Sequence, residues 1–175
     1  DIRRDLTAEN AMDQVSLATM VDAGKERSVI EAVCWGTRGS IASPGPDTVR
    51  FGGNTPCLEV RLRDGRRFIF DAGTGIRPLG LSMMDEAGTP DAVVFITHFH
   101  WDHIQGFPFF LPLYVPDASL RIIGPDQAQA DIQQLFATQM ASINFPVPFA
   151  ELSAKKKFSN LDGDAWEEDG FCLRA

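Results

Sequence analysis

Short apolar runs alternate with amphipathic stretches along most of this chain of 175 residues. Several runs have the length and composition of strands, and they cover residues 29–35, 57–63, 67–70, 92–97, 120–123, 149–158 and 170–173. Asp64 and Gly65, between the second and third runs, are typical of a tight hairpin turn. The pattern therefore predicts a sheet of short strands.

Two helical patterns lie between these strands. One follows Gly75 and has an apolar face made of Ile76, Leu79, Met83 and Met84. The other follows Asp126, the predicted N-cap residue, and its apolar face is made of Ala128, Ile132, Leu135, Phe136 and Met140. Strands mixed with amphipathic helices indicate an α/β (α+β) fold in which helices cover a sheet.

The beginning of the chain differs from the rest. A loose helical stripe with a polar end predicts an N-terminal helix and linker over residues 1–28. Residues 29–175 are then expected to form the folded domain. Within it, residues 36–55 are a long loop rich in Gly, Pro and Ser, and a loop of that length in a compact domain is usually functional.

Composition bounds the class of protein. Hydrophobic residues make up 44% of the chain and charged residues 23%, as in globular proteins, and no apolar run approaches the ~20 residues of a membrane span. The formal net charge is −8, so nucleic acid is a partner that charge does not favour. The 3 cysteines include no C-x-x-C pair and suit reduced thiols, which predicts a cytoplasmic protein.

All three histidines of the chain lie within six residues, in His98-Phe99-His100-Trp101-Asp102-His103. The cluster directly follows the predicted strand 92–97. In extended backbone His98 and His100 point to the same side, whereas Asp102 and His103 follow in the turn. Imidazole and carboxylate are common metal ligands, and this spacing favours a metal site over three solvated histidines on a loop.

This motif resembles the signature of the metallo-β-lactamase-fold hydrolases, in which His-x-His-x-Asp-His follows a hydrophobic strand. Residues 35–40 and 52–55 are similar to early loops of the phosphodiesterase and tRNA-processing branches, and residues 70–75 to the Asp-containing strand end before the motif. Residues 101–110 resemble a bacterial subgroup of the family. The resemblance covers residues 29–175 and implies the N-terminal half of an αββα sandwich, with the domain incomplete at its C-terminal end.

The resemblance also implies two divalent metal ions. His98 and His100 would help to hold one ion, and Asp102 and His103 the other. Asp102 would in addition be the catalytic residue that takes a proton from the attacking water. Zinc is favoured by a set of imidazole and carboxylate ligands, with manganese and iron as alternatives.

Four further residues are candidates for supporting roles. Asp71 is a candidate for orienting a ligand histidine or the loop of residues 98–106, which we call the metal loop. It is also a candidate for capping the helix that begins near Gly75. Arg38, Asn54 and Trp101 are candidate substrate contacts, and a structural turn is the alternative for Arg38 and Asn54.

The expected ligand count is short at both metal ions, because no histidine remains elsewhere in the chain. Asp162, Asp164, Asp169 and Cys172 are available donors, but acidic residues are common on surface loops. We therefore expect the missing ligands from a second half of the fold, supplied by a longer polypeptide or another chain. Alone, these residues are expected to be inactive.

Together these observations predict a metal-dependent hydrolase that cleaves a phosphodiester, either a cyclic nucleotide or a nucleic-acid-like substrate, with a metal-activated hydroxide. Hydrolysis of another ester, a thioester or a lactam is the alternative reaction. A non-catalytic signalling or interaction module with a partial metal loop is the alternative outside enzymes. The expected partners are a small-molecule or phosphodiester substrate and a second copy in a homodimer, with no membrane.

Overall fold

A six-stranded mixed sheet forms the centre of the fold in the computed structural model, which describes residues 31–125, 131–161, 165–168 and 171–174. The strands lie side by side in chain order: β1 (Glu31–Gly36), β2 (Cys57–Arg61), β3 (Arg67–Phe70), β4 (Asp91–Phe95), β5 (Ser119–Gly124) and β6 (Lys155–Asn160). β1, β2 and β3 pair antiparallel, and β3 to β6 pair parallel. Two more strands, β7 (Ala165–Glu168) and β8 (Phe171–Arg174), form an antiparallel pair of their own.

The parallel strands are joined by helical crossovers. They are α1 (Ile76–Asp85), the single turn α2 (Trp101–Ile104) and α3 (Ile132–Gln139), with short 3₁₀ turns at Phe107–Phe109, Leu111–Tyr114 and Phe149–Glu151. A further 3₁₀ turn, Pro46–Thr48, lies in the loop between the antiparallel strands β1 and β2. Because the strand order rises steadily and such crossovers are right-handed, the helices come to lie on one face of the sheet.

Alternation along the central strands gives the sheet two apolar faces. On the helix side, Ile69, Val94 and Ile122 pack with Leu79 of α1 and Phe136 of α3. The opposite face has a smaller cluster built from Phe68, Val93, Phe95 and Ile123. Trp166 of β7 packs edge-on against this second cluster, with ring centroids 6.0 Å from Phe68 and 5.2 Å from Phe95. Central strands buried on both faces read as continuous apolar runs, as the sequence of β4 does.

A buried carboxylate ties the antiparallel strands together. The side chain of Glu59 is fully buried and accepts hydrogen bonds from Trp35 Nε1 at 2.8 Å and from Arg61 Nε and Arg67 Nε at 2.6 Å each. Arg67 also pairs with Glu86 at 2.7 Å, directly after α1. This network connects β1, β2 and β3 to the end of α1, on the side of the sheet where the helices lie.

The α/β fold class and the existence of the predicted strands are confirmed, while several details differ. Met84 is 41% exposed and does not belong to the apolar face of α1, because adjacent helical residues such as Met83 and Met84 point about 100° apart. The N-cap of α3 is Asp131, whose side chain accepts from Gln133 N at 2.8 Å, whereas the predicted cap Asp126 lies outside the described residues. The predicted helix over residues 1–28 lies outside the described residues.

The predicted extended segment 149–158 is wrong in its first part. A 3₁₀ turn occupies Phe149–Glu151, and β6 begins only at Lys155, where pairing with β5 becomes available. β7 was not predicted, because its four residues include two adjacent glutamates and little apolar pattern. Pairing with a neighbouring strand, which a local pattern does not contain, decided both outcomes.

Two further observations concern the cysteine residues and the length of the helices. Cys34 and Cys57 are free thiols, and burial raises the pKa of Cys57 well above its ordinary value, so its neutral form is the stable one. In the part of the chain that the structure describes, no helix has the length and apolar character needed to cross a membrane.

Candidate metal centre

The three histidines meet at the end of β4. The chain leaves this strand after Phe95, and α2 begins at Trp101, so His98 and His100 lie in the connection and His103 in the helical turn. The ring of His98 lies 4.5 Å from that of His100 and 4.0 Å from that of His103, measured between centroids. The structure therefore brings all three imidazoles into one cluster, at the carboxyl end of a parallel strand.

Asp71 supports this cluster from the end of the neighbouring strand β3. Its carboxylate is 6% exposed and accepts from Thr97 N at 2.8 Å, while its Oδ2 lies 2.8 Å from Nδ1 of His103. Its backbone has a φ of 65°, a left-handed conformation that is uncommon outside glycine. The N-cap of α1 is Gly75, and no side chain caps that helix. The alternative role of Asp71 as a helix cap is therefore wrong.

These hydrogen bonds decide where two histidines carry their protons. An ionised carboxylate only accepts, so Nδ1 of His103 donates to Asp71, and in the neutral form of the ring the lone pair is then on Nε2. The hydroxyl of Thr97 lies 2.9 and 3.0 Å from the two oxygens of Asp71 and must donate to them. The Thr97 oxygen then accepts from Nδ1 of His98 at 3.0 Å, which leaves Nε2 of His98 with a lone pair as well. Asp71 thus contacts His103 directly and His98 through the hydroxyl of Thr97, in both cases on the Nδ1 side of the ring.

Electrostatic effects favour the neutral form of His98 and the ionised form of Asp102, which are the forms that bind metal ions. Partial burial, followed by the neighbouring imidazoles of His103 and His100, lowers the pKa of His98 and favours the neutral ring. The backbone N–H of Ser40 donates to Oδ2 of Asp102 at 2.7 Å and is the main reason that the pKa of this carboxyl is lowered. The same Oδ2 lies 3.6 Å from Nε2 of His103.

The donor chemistry fits a divalent metal ion, but the number of donors is small. Imidazole Nε2 atoms with a carboxylate beside them are ligands that zinc, manganese and iron accept. Among the described residues, no group of three or more His, Cys, Asp or Glu side chains is arranged to hold a metal ion by itself. The other candidate donors, namely Asp162, Asp164, Asp169 and the Cys172 side chain, lie outside the described part.

Close backbone packing positions the metal loop, and glycines make it possible. A Cβ on Gly106 would lie 2.0 Å from the carbonyl oxygen of Gly73, and a Cβ on Gly73 would lie 2.4 Å from that of Asp102. Ala72 N donates to the carbonyl of His103 at 2.7 Å, and Gly106 N donates to that of Ala72 at 2.8 Å. The segment after β3 and the metal loop are therefore packed together without room for side chains.

The candidate substrate contacts occupy different environments. Trp101, the first residue of α2, is 61% exposed, and Arg38 is exposed with its Nε donating to the carbonyl of Ile41 at 2.9 Å. Asn54 instead accepts from the hydroxyl of Thr74 at 3.2 Å and belongs to the packing between two loops. The side chains of Arg38 and Trp101 are therefore open to solvent, whereas that of Asn54 is held between two loops.

Sequence reasoning missed three residues that position the centre: Ser40, Thr97 and Gly106. Thr97 directly precedes the first histidine, so its proximity was a usable signal. Ser40 lies 62 residues away from its partner Asp102, and no local pattern connects the two. The role of Gly106 depends on the approach of Gly73, which only the folded chain reveals.

Comparison with known proteins places the chain in a family. The family model for the beta-lactamase superfamily domain matches residues 66–165, which is more than half of the chain. The chain therefore belongs to the beta-lactamase superfamily, and the family resemblance stated from the sequence is confirmed.

Similar proteins include ribonucleases Z from archaea and bacteria. The ribonuclease Z of Pyrococcus abyssi is 29% identical over 144 residues, which cover 79% of this chain and 43% of that protein. The ribonuclease Z of Haloarcula marismortui is 32% identical over 124 residues, covering 68% and 36%. That of Natronomonas pharaonis is 35% identical over 117 residues, covering 64% and 34%. The chain spans less than half the length of these curated relatives.

Proposed function

We propose that this protein is a metal-dependent hydrolase that cleaves phosphodiester bonds of a nucleic acid. The observation that carries the proposal is the arrangement around Asp71, which leaves Nε2 of His98 and of His103 with lone pairs beside the carboxylate of Asp102. The similarity to proteins named ribonuclease Z supports a nucleic-acid substrate over a cyclic nucleotide.

His98 and His100 would help to hold one divalent ion, and His103 and Asp102 the other. Zinc is the proposed metal, with manganese and iron as the alternatives. When bound, such ions polarise a phosphoryl group and lower the pKa of a water molecule.

The residues of the chain have separable tasks in this reaction. The Asp102 carboxylate takes the proton from the attacking water, and the Ser40 N–H keeps that carboxylate ionised and oriented. Asp71 holds His103 through Nδ1 and His98 through Thr97. Arg38 and Trp101 would contact the substrate, whereas Asn54 would shape the loop behind them.

Further polypeptide is part of the proposal. The sheet face formed by Phe68, Val93, Phe95 and Ile123 is apolar, and Trp166 of β7, which lies outside the six-stranded sheet, packs on it. We expect a second layer here, from the same polypeptide or another chain, and we expect it to supply the remaining metal ligands. The free thiols of Cys34 and Cys57 suit a reducing compartment, and we place the protein in the cytoplasm.

The complete protein tests this function directly. Elemental analysis measures bound metal, and bis(4-nitrophenyl) phosphate and RNA serve as substrates. His100→Ala should lower the metal content and abolish turnover, while the circular dichroism spectrum stays unchanged because strand burial holds the sheet together. Asp117→Asn, on an exposed acid paired only with Lys155 at 3.4 Å, is the control and should behave like the wild type. Unchanged metal content in His100→Ala would refute the assignment.

A further inference from the structure

The loop between β1 and β2 is anchored on the metal loop. The backbone N–H of Ser40 donates to Oδ2 of Asp102 at 2.7 Å. The two arms of this loop are joined by hydrogen bonds from Arg38 N to the carbonyl of Asn54 and from Ser43 N to that of Gly53, both 3.0 Å long. A Cβ on Gly53 would lie only 2.1 Å from the carbonyl oxygen of Ser43, so the arms are in close contact. The loop is therefore held in a defined conformation beside the candidate metal centre.

Three exposed residues are near in the chain to the partners of the hydrogen bond between Ser40 and Asp102, and we call them the rim patch: Arg38, Ile41 and Trp101. Ile41 follows Ser40 and is 64% exposed, and Trp101 precedes Asp102 and is 61% exposed. Arg38 is held by its bond to the carbonyl of Ile41, and no carboxylate pairs with it within the described residues. The two segments that the Ser40–Asp102 bond joins thus carry an exposed aromatic side chain, an exposed aliphatic side chain and a guanidinium group that has no carboxylate partner among the described residues.

The loop differs in charge from the molecule as a whole. The protein has a net charge of −8, yet residues 37–54 contain two arginines, Arg38 and Arg50, and a single acid, Asp47. Arg50 lies over the ring of Phe51, with its guanidinium carbon 4.9 Å from the ring centroid, and Phe51 is 68% exposed. The loop therefore offers a second pair of arginine and aromatic ring beyond the rim patch.

Exposed aromatic faces beside guanidinium groups match the chemistry of single-stranded nucleic acid. Unpaired bases stack on aromatic rings and arginine planes, and arginine binds the phosphates between them. In a duplex the faces of the bases are already stacked on each other, so Trp101 would find no free base.

We propose that the rim patch binds an unpaired nucleotide next to the scissile phosphodiester, with Trp101 on the base and Arg38 on a phosphate. Arg50 and Phe51 extend the binding surface to a neighbouring nucleotide of the same strand. The inference rests on the proposed function, since it names the form of nucleic acid that the centre would cleave: a single-stranded segment.

Equilibrium binding tests the inference, because it does not depend on turnover. Fluorescence anisotropy compares the complete protein with a labelled short single-stranded RNA and with the same RNA annealed to its complement, at one salt concentration. We expect tighter binding of the single strand and a loss of about 10-fold for Trp101→Ala on that strand. Trp101→Phe keeps an aromatic face and should retain most of the affinity. Arg38→Gln should reduce the salt dependence, with a slope smaller by about one.

The control is Val49→Ala, which trims a side chain that is 78% exposed in the same loop but outside the rim patch, and it should bind like the wild type. Equal affinity for single strand and duplex, or a Trp101→Ala variant that binds the single strand like the wild type, would overturn the inference and leave the patch to a protein partner. Turnover of bis(4-nitrophenyl) phosphate by the wild type is measured separately. If the wild type does not turn over this substrate but still binds single strands more tightly than duplex, only the proposed function is refuted.

Discussion

Asp71 controls more of the candidate centre than any other single side chain. Its two oxygens contact the backbone N–H and hydroxyl of Thr97 and Nδ1 of His103. The hydroxyl of Thr97 in turn contacts Nδ1 of His98. A carboxylate at this position accepts from every donor that faces it, whereas an amide would present a donor to at least one of them. The charge of Asp71 therefore matters as much as its shape.

Asp71→Asn tests this point. The substitution keeps the volume but turns one acceptor into a donor, so one of the two histidines loses its preset proton position. We expect the complete protein to lose metal affinity by about 10- to 100-fold, measured by competition with a chromophoric chelator. Asp64→Asn, on a fully exposed carboxylate paired with Arg66, is the matched control. Equal metal affinity in Asp71→Asn and the wild type would show that Asp71 only supports the backbone.

At the scale of elements, the centre depends on how closely two loops approach. The segment after β3 and the turn that ends α2 exchange backbone hydrogen bonds through Ala72, His103 and Gly106. Gly73 and Gly106 lie where a side chain would collide with carbonyl oxygens. Since backbone atoms cannot move aside as side chains can, the geometry of the metal loop is set by these contacts.

Gly106→Ala should separate the two loops. The added methyl group would lie 2.0 Å from the Gly73 carbonyl oxygen, and we expect a loss of about 3 kcal/mol in the free energy of unfolding, measured by urea denaturation. Metal affinity should fall as well, because His103 lies on the displaced turn. The control is Gly39→Ala, where a Cβ meets no atom within 4 Å, and its stability should stay within about 0.5 kcal/mol of the wild type. Similar stability in the two variants would contradict the packing argument.

For the whole molecule, the sheet divides the apolar residues between two faces that are covered differently. The helices pack on Ile69, Val94 and Ile122, whereas the opposite face contacts Trp166 of β7. Trp166 lies against Phe68 and Phe95, and the guanidinium carbon of Arg121 lies 5.8 Å from its ring centroid. The half-buried ring of Trp166 therefore contributes to the cover of this face.

Trp166→Ala should destabilise the molecule and expose that face. We expect a loss of about 2 kcal/mol, less than for a fully buried tryptophan, together with increased binding of a hydrophobic dye. Trp101→Ala makes the same chemical change at a site that is 61% exposed and should leave stability within about 0.5 kcal/mol of the wild type. If another layer of polypeptide covers the face in the complete protein, the dye signal stays low and the loss of stability remains.

Sequence patterns alone determined the family, the fold class and the position of the histidine cluster. Alternation in strands, the helical stripe after Gly75 and the spacing of His98, His100, Asp102 and His103 are local properties, because each depends on residues a few positions apart. The family assignment was confirmed, and the strands were located to within a few residues.

Only the tertiary structure decided how the centre is held. The role of Asp71 required the pairing of β3 with β4, the bond from Ser40 to Asp102 spans 62 residues, and the need for glycine at position 106 appears only when Gly73 approaches it. The cap of α3 at Asp131 and the short turn before β6 also depended on packing that a local pattern does not encode. Contacts between residues distant in the chain form only when the sheet assembles, so sequence periodicity predicts the elements and the folded chain decides which side chains meet.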